Sequence, residues 1–219
     1  MAEVTEHHIE IVRTARYYCV GEYDREGELW YVLHGYRQTA SRFISRFESL
    51  ANGSRMVVAP EALNRFYLSS EPGRHGPESV VGATWMTRED RDFEIQDYVR
   101  YLDAVLEEVG RMPRTTVLGF SQGVATATRW AVLGKIQPDR LILWGGSLPP
   151  DLDMNLASKA LINTELIIVR GSEDSALEKE SKIEEEERIQ GAGITYQVMD
   201  YSGGHEIDSQ LLVQLAAGS

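Results

Sequence analysis

The sequence predicts an α/β fold: a doubly wound, mostly parallel twisted sheet with helices on both faces, an antiparallel hairpin at its N-terminal edge, and little or no lid. Three observations lead there. Short, nearly all-apolar runs such as Leu29-Trp30-Tyr31-Val32-Leu33 and Leu141-Ile142-Leu143-Trp144 recur along the chain, the pattern of strands buried on both faces of a parallel sheet. Segments with helical spacing of apolar residues alternate with these runs, which implies βαβ units. The 219 residues, 42% hydrophobic and 26% charged, suffice for a single domain spanning 1–219 with a sizeable core.

Taken in order, Ile9-Glu10-Ile11-Val12 and Ala15-Arg16-Tyr17-Tyr18-Cys19-Val20 read as two strands separated by a short turn, hence the hairpin. Leu29 to Leu33 is the next strand. Ala40 to Leu50 carries Phe43, Ile44, Phe47 and Leu50 at helical spacing, closed by Asn52-Gly53. Arg55 to Ala59 is a strand, and Pro60 to Thr87 a long irregular stretch. Asp92 to Val109 presents one apolar helical face. Thr115 to Phe120 is a strand, followed by a helix rich in small residues from Gln122 to Leu133. Strands follow at Leu141–Trp144 and Leu166–Val169, a charged helix at Glu178–Gln190, a last strand at Ile194–Met199 and a last helix at Ile207–Ala216. The run Glu184 to Glu187 reads as a solvated helix face.

The net charge of −12 disfavours nucleic acid and anionic membranes as partners. The one cysteine, Cys19, excludes an intrachain disulfide and reads as a small buried thiol in an apolar run. The N-terminal residues lack the basic start and apolar stretch of a signal peptide, and no run approaches ~18 apolar residues. No membrane span and a cytoplasmic location are therefore expected.

The chemistry centres on Gly119-Phe120-Ser121-Gln122-Gly123. The motif follows a strand and opens a helix, as a nucleophile elbow requires. The helix N-terminus brings free N–H groups and a positive dipole end to the place where negative charge will develop. A serine hydroxyl needs a base, and the base an orienting acid. His205, in Gly203-Gly204-His205, is the one histidine after Ser121 and follows the last strand. Gly171-Ser172-Glu173-Asp174 follows the strand at Leu166 and offers Asp174 as the acid, with Glu173 as its rival. An oxyanion hole needs two backbone donors: the N–H of Gln122, and one from the loop Leu33-His34-Gly35-Tyr36-Arg37-Gln38, either Tyr36 or Arg37. His34 reads as structural, hydrogen-bonded within that loop.

With His34-Gly35, the Gly-Phe-Ser-Gln-Gly elbow, Gly171-Ser172-Glu173-Asp174 and Gly204-His205, the chain resembles the phospholipase/carboxylesterase group of the α/β-hydrolase superfamily, which includes acyl-protein thioesterases. The resemblance runs from Leu29 to the last helix. It implies a three-layer α/β-hydrolase fold, a Ser121-Asp174-His205 triad, and Tyr36 and Gln122 as oxyanion donors. Arg37-Gln38 stands where that group usually carries a glycine and an aspartate, and the stretch Glu71 to Trp85 is particular to this chain. Related dienelactone hydrolases carry cysteine where this chain has Ser121.

No long insertion follows Trp144, and Pro149 to Asn163 suffices only for a small helical flap. An open pocket for a small or short-chain acyl ester is expected, lined by Arg37, Trp85, Met86 and Trp144. The activity expected is that of a serine carboxylesterase on a small-molecule ester, from a monomer or homodimer. A thioesterase, lactonase or peptidase uses the same triad, and a non-catalytic ligand-binding member of the fold is the competing class. No cofactor is expected: no glycine-rich phosphate loop is present, and His7-His8 is a lone pair without metal-ligand spacing.

Overall fold

Six runs pair side by side, the inner ones buried on both faces and the last, at the sheet edge, only partly covered. They are β2 (Glu28–Leu33), β3 (Arg55–Pro60), β6 (Arg114–Phe120), β7 (Arg140–Trp144), β8 (Glu165–Gly171) and β9 (Tyr196–Tyr201). The computed structural model describes residues 3–22, 24–51, 53–68, 75–176 and 179–218. With β1 (Tyr17–Val20) these strands form a seven-stranded sheet in the order β1-β3-β2-β6-β7-β8-β9. Every neighbouring pair is parallel except β1 with β3.

The expected antiparallel edge is present, but its partner is different. Tyr17 to Val20 pairs with Pro60 to Val57, whereas residues 9–12 form no strand. Ile9 and Val12 stay exposed on an N-terminal arm that runs beside α2 (Arg91–Val109). The outer side of β1 is left as the open edge of the sheet. Cys19 is exposed on this edge strand rather than buried.

The connections fill the two faces. Phe43, Ile44, Phe47 and Leu50, from α1 (Ala40–Ile44) and the 3-10 turn after it, pack with α6 (Ser209–Ala217) on Trp30, Val32, Leu118 and Ile142. On the other face α2, α3 (Gln122–Leu133), α4 (Met154–Ala160) and α5 (Lys179–Gly191) cover Leu29, Tyr31, Val117 and Leu141. Successive strand residues go to opposite layers, as the two-residue period of a strand dictates. Element ends lie within one or two residues of the sequence expectation, though Glu178 and Asn52 are outside the described residues.

Two further expectations need correction. The stretch from Pro60 to Thr87, expected to be irregular, contains a separate antiparallel hairpin, β4 (Asn64–Tyr67) and β5 (Val81–Thr84), with Asn64 opposite Thr84. Of the distinctive stretch Glu71 to Trp85, residues 71–74 lie outside the described residues. The glutamate run is not uniformly solvated either: Glu185 turns inward and pairs with the buried Arg170.

The chain leaves β2 toward β3 and later returns to β6 on the other side of β2, so the winding reverses between β2 and β6. Loops at such a switch point part and leave a crevice at the carboxyl edge of the sheet. Leu33 lies opposite Gly119, which sets the loop from His34 beside Ser121.

Candidate active site

Ser121 sits between the end of β6 and the start of α3 with φ 55° and ψ −119°, a conformation costly for any side-chain-bearing residue. Its N–H donates to Trp144 O, and its own carbonyl accepts from Val124 N–H. The turn is tight enough that the flanking glycines are obligatory. A Cβ on Gly119 would stand 2.3 Å from Gly123 O, and one on Gly123 would stand 2.2 Å from Leu33 O.

His205 reaches Ser121 from the loop after β9. Its Nε2 lies 2.9 Å from Ser121 Oγ and its Nδ1 2.8 Å from Asp174 Oδ2. With a carboxylate at Nδ1, that nitrogen carries the proton and Nε2 offers its lone pair to the serine hydroxyl. The Asp174 side chain is buried, and its Oδ1 accepts from Ala176 N–H. Glu173, the rival acid, points to solvent and uses its backbone N–H on Gly203 O. Two aromatic donors hold the histidine loop: Tyr201 hydroxyl donates at Gly204 O and Glu206 O, and Trp144 Nε1 donates to Glu206 O at 2.9 Å.

Across the crevice, Gly35 presses against the serine, with an ideal Cβ there only 3.1 Å from Ser121 Cβ. The N–H of Gln122 opens α3, where helix geometry gives it no intrahelical acceptor. Of the two candidate second donors, Arg37 is already committed, its N–H donating to Ala83 O at 3.0 Å. Tyr36 N–H meets no acceptor among the described residues, while its ring stacks on Phe66 at 5.5 Å. His34 is structural, as expected. It is fully buried, its Nδ1–H donates to Gly35 O, and its Nε2 accepts from Ala62 N–H. Burial pushes its pKa down from 6.5 to about 4, so the ring is neutral.

The expected pocket residues divide. Trp85 and Trp144 are buried at 1% and 0% exposure, and each spends its indole N–H on a backbone carbonyl. They support the crevice from beneath. Apolar character predicts burial as readily as a substrate wall. Met86 is half-buried, with its sulfur 3.5 Å from Arg129, and Arg37 is exposed with φ 68°.

Sequence reasoning missed several supporting groups. Gln38 Oε1 accepts Gly35 N–H at 2.8 Å and shapes the turn that presents Tyr36. The Gln122 carboxamide bonds Thr84, Trp85 and Met86. Arg170, four residues before Asp174, pairs with Glu185 and Glu186, while Glu185 Oε1 accepts Leu148 N–H. Burial pushes the Glu185 carboxyl up against the opposing pull of Arg170. The departure Arg37-Gln38 was a signal for the first of these; no local pattern signalled the others.

The chain's fold matches that of Zea mays acyl-protein thioesterase 2, with a TM-score of 0.69 at 15% identity, covering 94% of this chain and 97% of that one. It also matches a Bacillus cereus carboxylesterase, with a TM-score of 0.66 at 13% identity, covering 93% and 92%. At such identities the likeness is one of fold, and it bears out the expected α/β-hydrolase architecture. No curated protein matches the sequence significantly. The family model described as serine hydrolase (FSH1) matches residues 30–213, from β2 to within α6. The chain therefore belongs to the FSH1 serine hydrolase family.

Proposed function

We propose that this serine hydrolase cleaves small or short-chain carboxylic esters through an acyl-enzyme on Ser121. His205 serves as general base, Asp174 orients it, and the N–H groups of Tyr36 and Gln122 receive the oxyanion. The observation that carries the reading is the chain of two hydrogen bonds, 2.9 Å from Ser121 Oγ to His205 Nε2 and 2.8 Å from His205 Nδ1 to Asp174 Oδ2. It has the directionality that serine activation requires.

In this reading Oγ attacks the ester carbonyl carbon as its proton passes to Nε2. The carbonyl π electrons move onto oxygen, which turns toward the two N–H donors. These act on the developing charge and not on the ground-state ester, so they lower the barrier by a few kcal/mol. Collapse expels the alkoxide, which takes the proton from Nε2. A water molecule then repeats the sequence on the acyl-enzyme and releases the acid. Asp174 stays ionised throughout and stabilises the imidazolium formed in each half-reaction.

The short connection after β7 supports a small acyl group. It holds only the seven-residue α4 before β8 begins, too little chain for a deep covering lid. The reaction is assigned to the cytoplasm, in line with the single thiol. Hydrolysis of p-nitrophenyl acetate and butyrate tests the proposal, together with covalent labelling by a fluorophosphonate. Ser121→Ala is expected to abolish labelling and to lower kcat by at least about 1,000-fold. Labelling or turnover that persists in this variant sinks the assignment. A panel of acyl chain lengths, with matched thioesters, then ranks substrates by kcat/KM.

A further inference from the structure

The second oxyanion donor, Tyr36, lies on the loop between β2 and α1, yet it must keep a fixed distance from the first. The hairpin β4–β5 is bonded to both. On one side Ala83 exchanges two backbone hydrogen bonds with the donor loop: Arg37 N–H to Ala83 O at 3.0 Å, and Ala83 N–H to Gln38 O at 2.9 Å. Trp85 adds a third, its Nε1–H donating to His34 O at 2.8 Å. On the other side the residues just after β5 surround the side chain of Gln122. Trp85 N–H donates to Gln122 Oε1 at 3.1 Å, and Gln122 Nε2 donates to Thr84 Oγ1 at 2.9 Å and to Met86 O at 3.0 Å. Because a backbone N–H can only donate, the Trp85 contact fixes which end of the carboxamide is oxygen. Gly82 lies against the same loop, where an ideal Cβ would stand 2.5 Å from Arg37 O, so no side chain fits between hairpin and loop.

We infer that the Gln122 carboxamide is a positioning residue, which with Thr84 and the β4–β5 hairpin clamps the two oxyanion donors at a fixed separation. The inference rests on the proposed acyl-transfer reading and adds a role for the side chain of a residue whose backbone alone was assigned one. The clamp explains why a two-stranded hairpin, detached from the main sheet, is held over the crevice. It also fits the partial burial of a polar side chain with both ends of its amide satisfied. An error of an ångström in donor placement weakens interactions made only in the transition state, so the loss should fall on kcat and spare KM.

Gln122→Met removes the carboxamide at similar length, and Thr84→Val removes its hydroxyl partner at similar volume. Both are expected to lower kcat for p-nitrophenyl acetate about tenfold or more while KM stays within about twofold. Affinity for phenylboronic acid, whose serine adduct carries its negative charge into the same hole, should weaken by a similar factor. Thermal midpoints should stay close to wild type, Thr84→Ser should restore kcat, and the double variant Gln122→Met/Thr84→Val should lose no more than the worse single one. Unchanged kcat and boronate affinity in Gln122→Met would overturn the inference. So would parallel loss of kcat, KM and thermal midpoint, the pattern of general loosening. The proposed reaction fails separately, if Ser121→Ala retains turnover.

Discussion

At Ser121 the backbone is held at φ 55°, where a side chain is strained and glycine is not. The surrounding bonds impose that geometry: Ser121 N–H on Trp144 O, and Val124 N–H on Ser121 O. Ser121→Gly should therefore raise stability by about 1 kcal/mol while abolishing hydrolysis, and the urea midpoint checks it. A lower midpoint would mean that the hydroxyl contact with His205 outweighs the strain. His34 makes the opposite kind of demand, since both its ring nitrogens are engaged in a dry site that holds it neutral. Between pH 6.5 and about 4 the unfolded chain binds a proton that folded His34 refuses. Stability then falls as pH drops through that window, by up to about 3 kcal/mol. Urea titrations should show a shallower decline over the same range for His34→Gln than for wild type. The histidine's place in a loop was legible in the sequence, but its burial depends on Trp85 and Ala62, which arrive from distant segments.

Among the elements, the strand–turn–helix around Ser121 was readable because every requirement is local. An apolar run precedes the turn, small residues follow it, and glycines flank the serine where backbones touch. The hairpin β4–β5 was not readable. Its strands are four residues each and separated by a long connection, so they carry neither a long apolar run nor the short turn that announces a hairpin. Helix α5 shows the same limit, because its run of glutamates conceals one inward carboxylate. Arg170 at the end of β8 and Glu185 on α5 are both buried, and Glu185 also caps Leu148 N–H. Removing the cation strands a buried carboxylate, so Arg170→Met should cost about 3 kcal/mol. Glu185→Gln, which keeps an acceptor for Leu148, should cost less. Equal urea midpoints for wild type and Arg170→Met would show that the pair adds nothing to the anchoring of the Asp174 loop.

Over the whole molecule, stability resides in the two apolar layers on either face of the sheet, and the N-terminal arm adds little to either. The arm's polar contacts, His8 with Asp90 and Glu10 with Arg100, are exposed pairs that water screens. Truncation of residues 1–12 should leave the thermal midpoint within about 2 °C and kcat unchanged. A large drop would place the arm in the folding core. No helix among the described residues is long and apolar enough to cross a membrane. By itself the sequence determined the class of fold, the layering of strands and helices, and the serine and histidine that the crevice brings together, with the acid narrowed to Asp174 or Glu173. Those follow from periodicity and from chain order, which survive without coordinates. Only the tertiary structure decided that β1 pairs with β3, that Asp174 and not Glu173 meets the imidazole, and that Arg37 N–H is already spent. It also decided how deeply Trp85 and Trp144 are buried. Each of these depends on which distant segment claims a donor, an acceptor or an apolar face first. That competition is settled by packing in three dimensions and leaves no local trace in the chain.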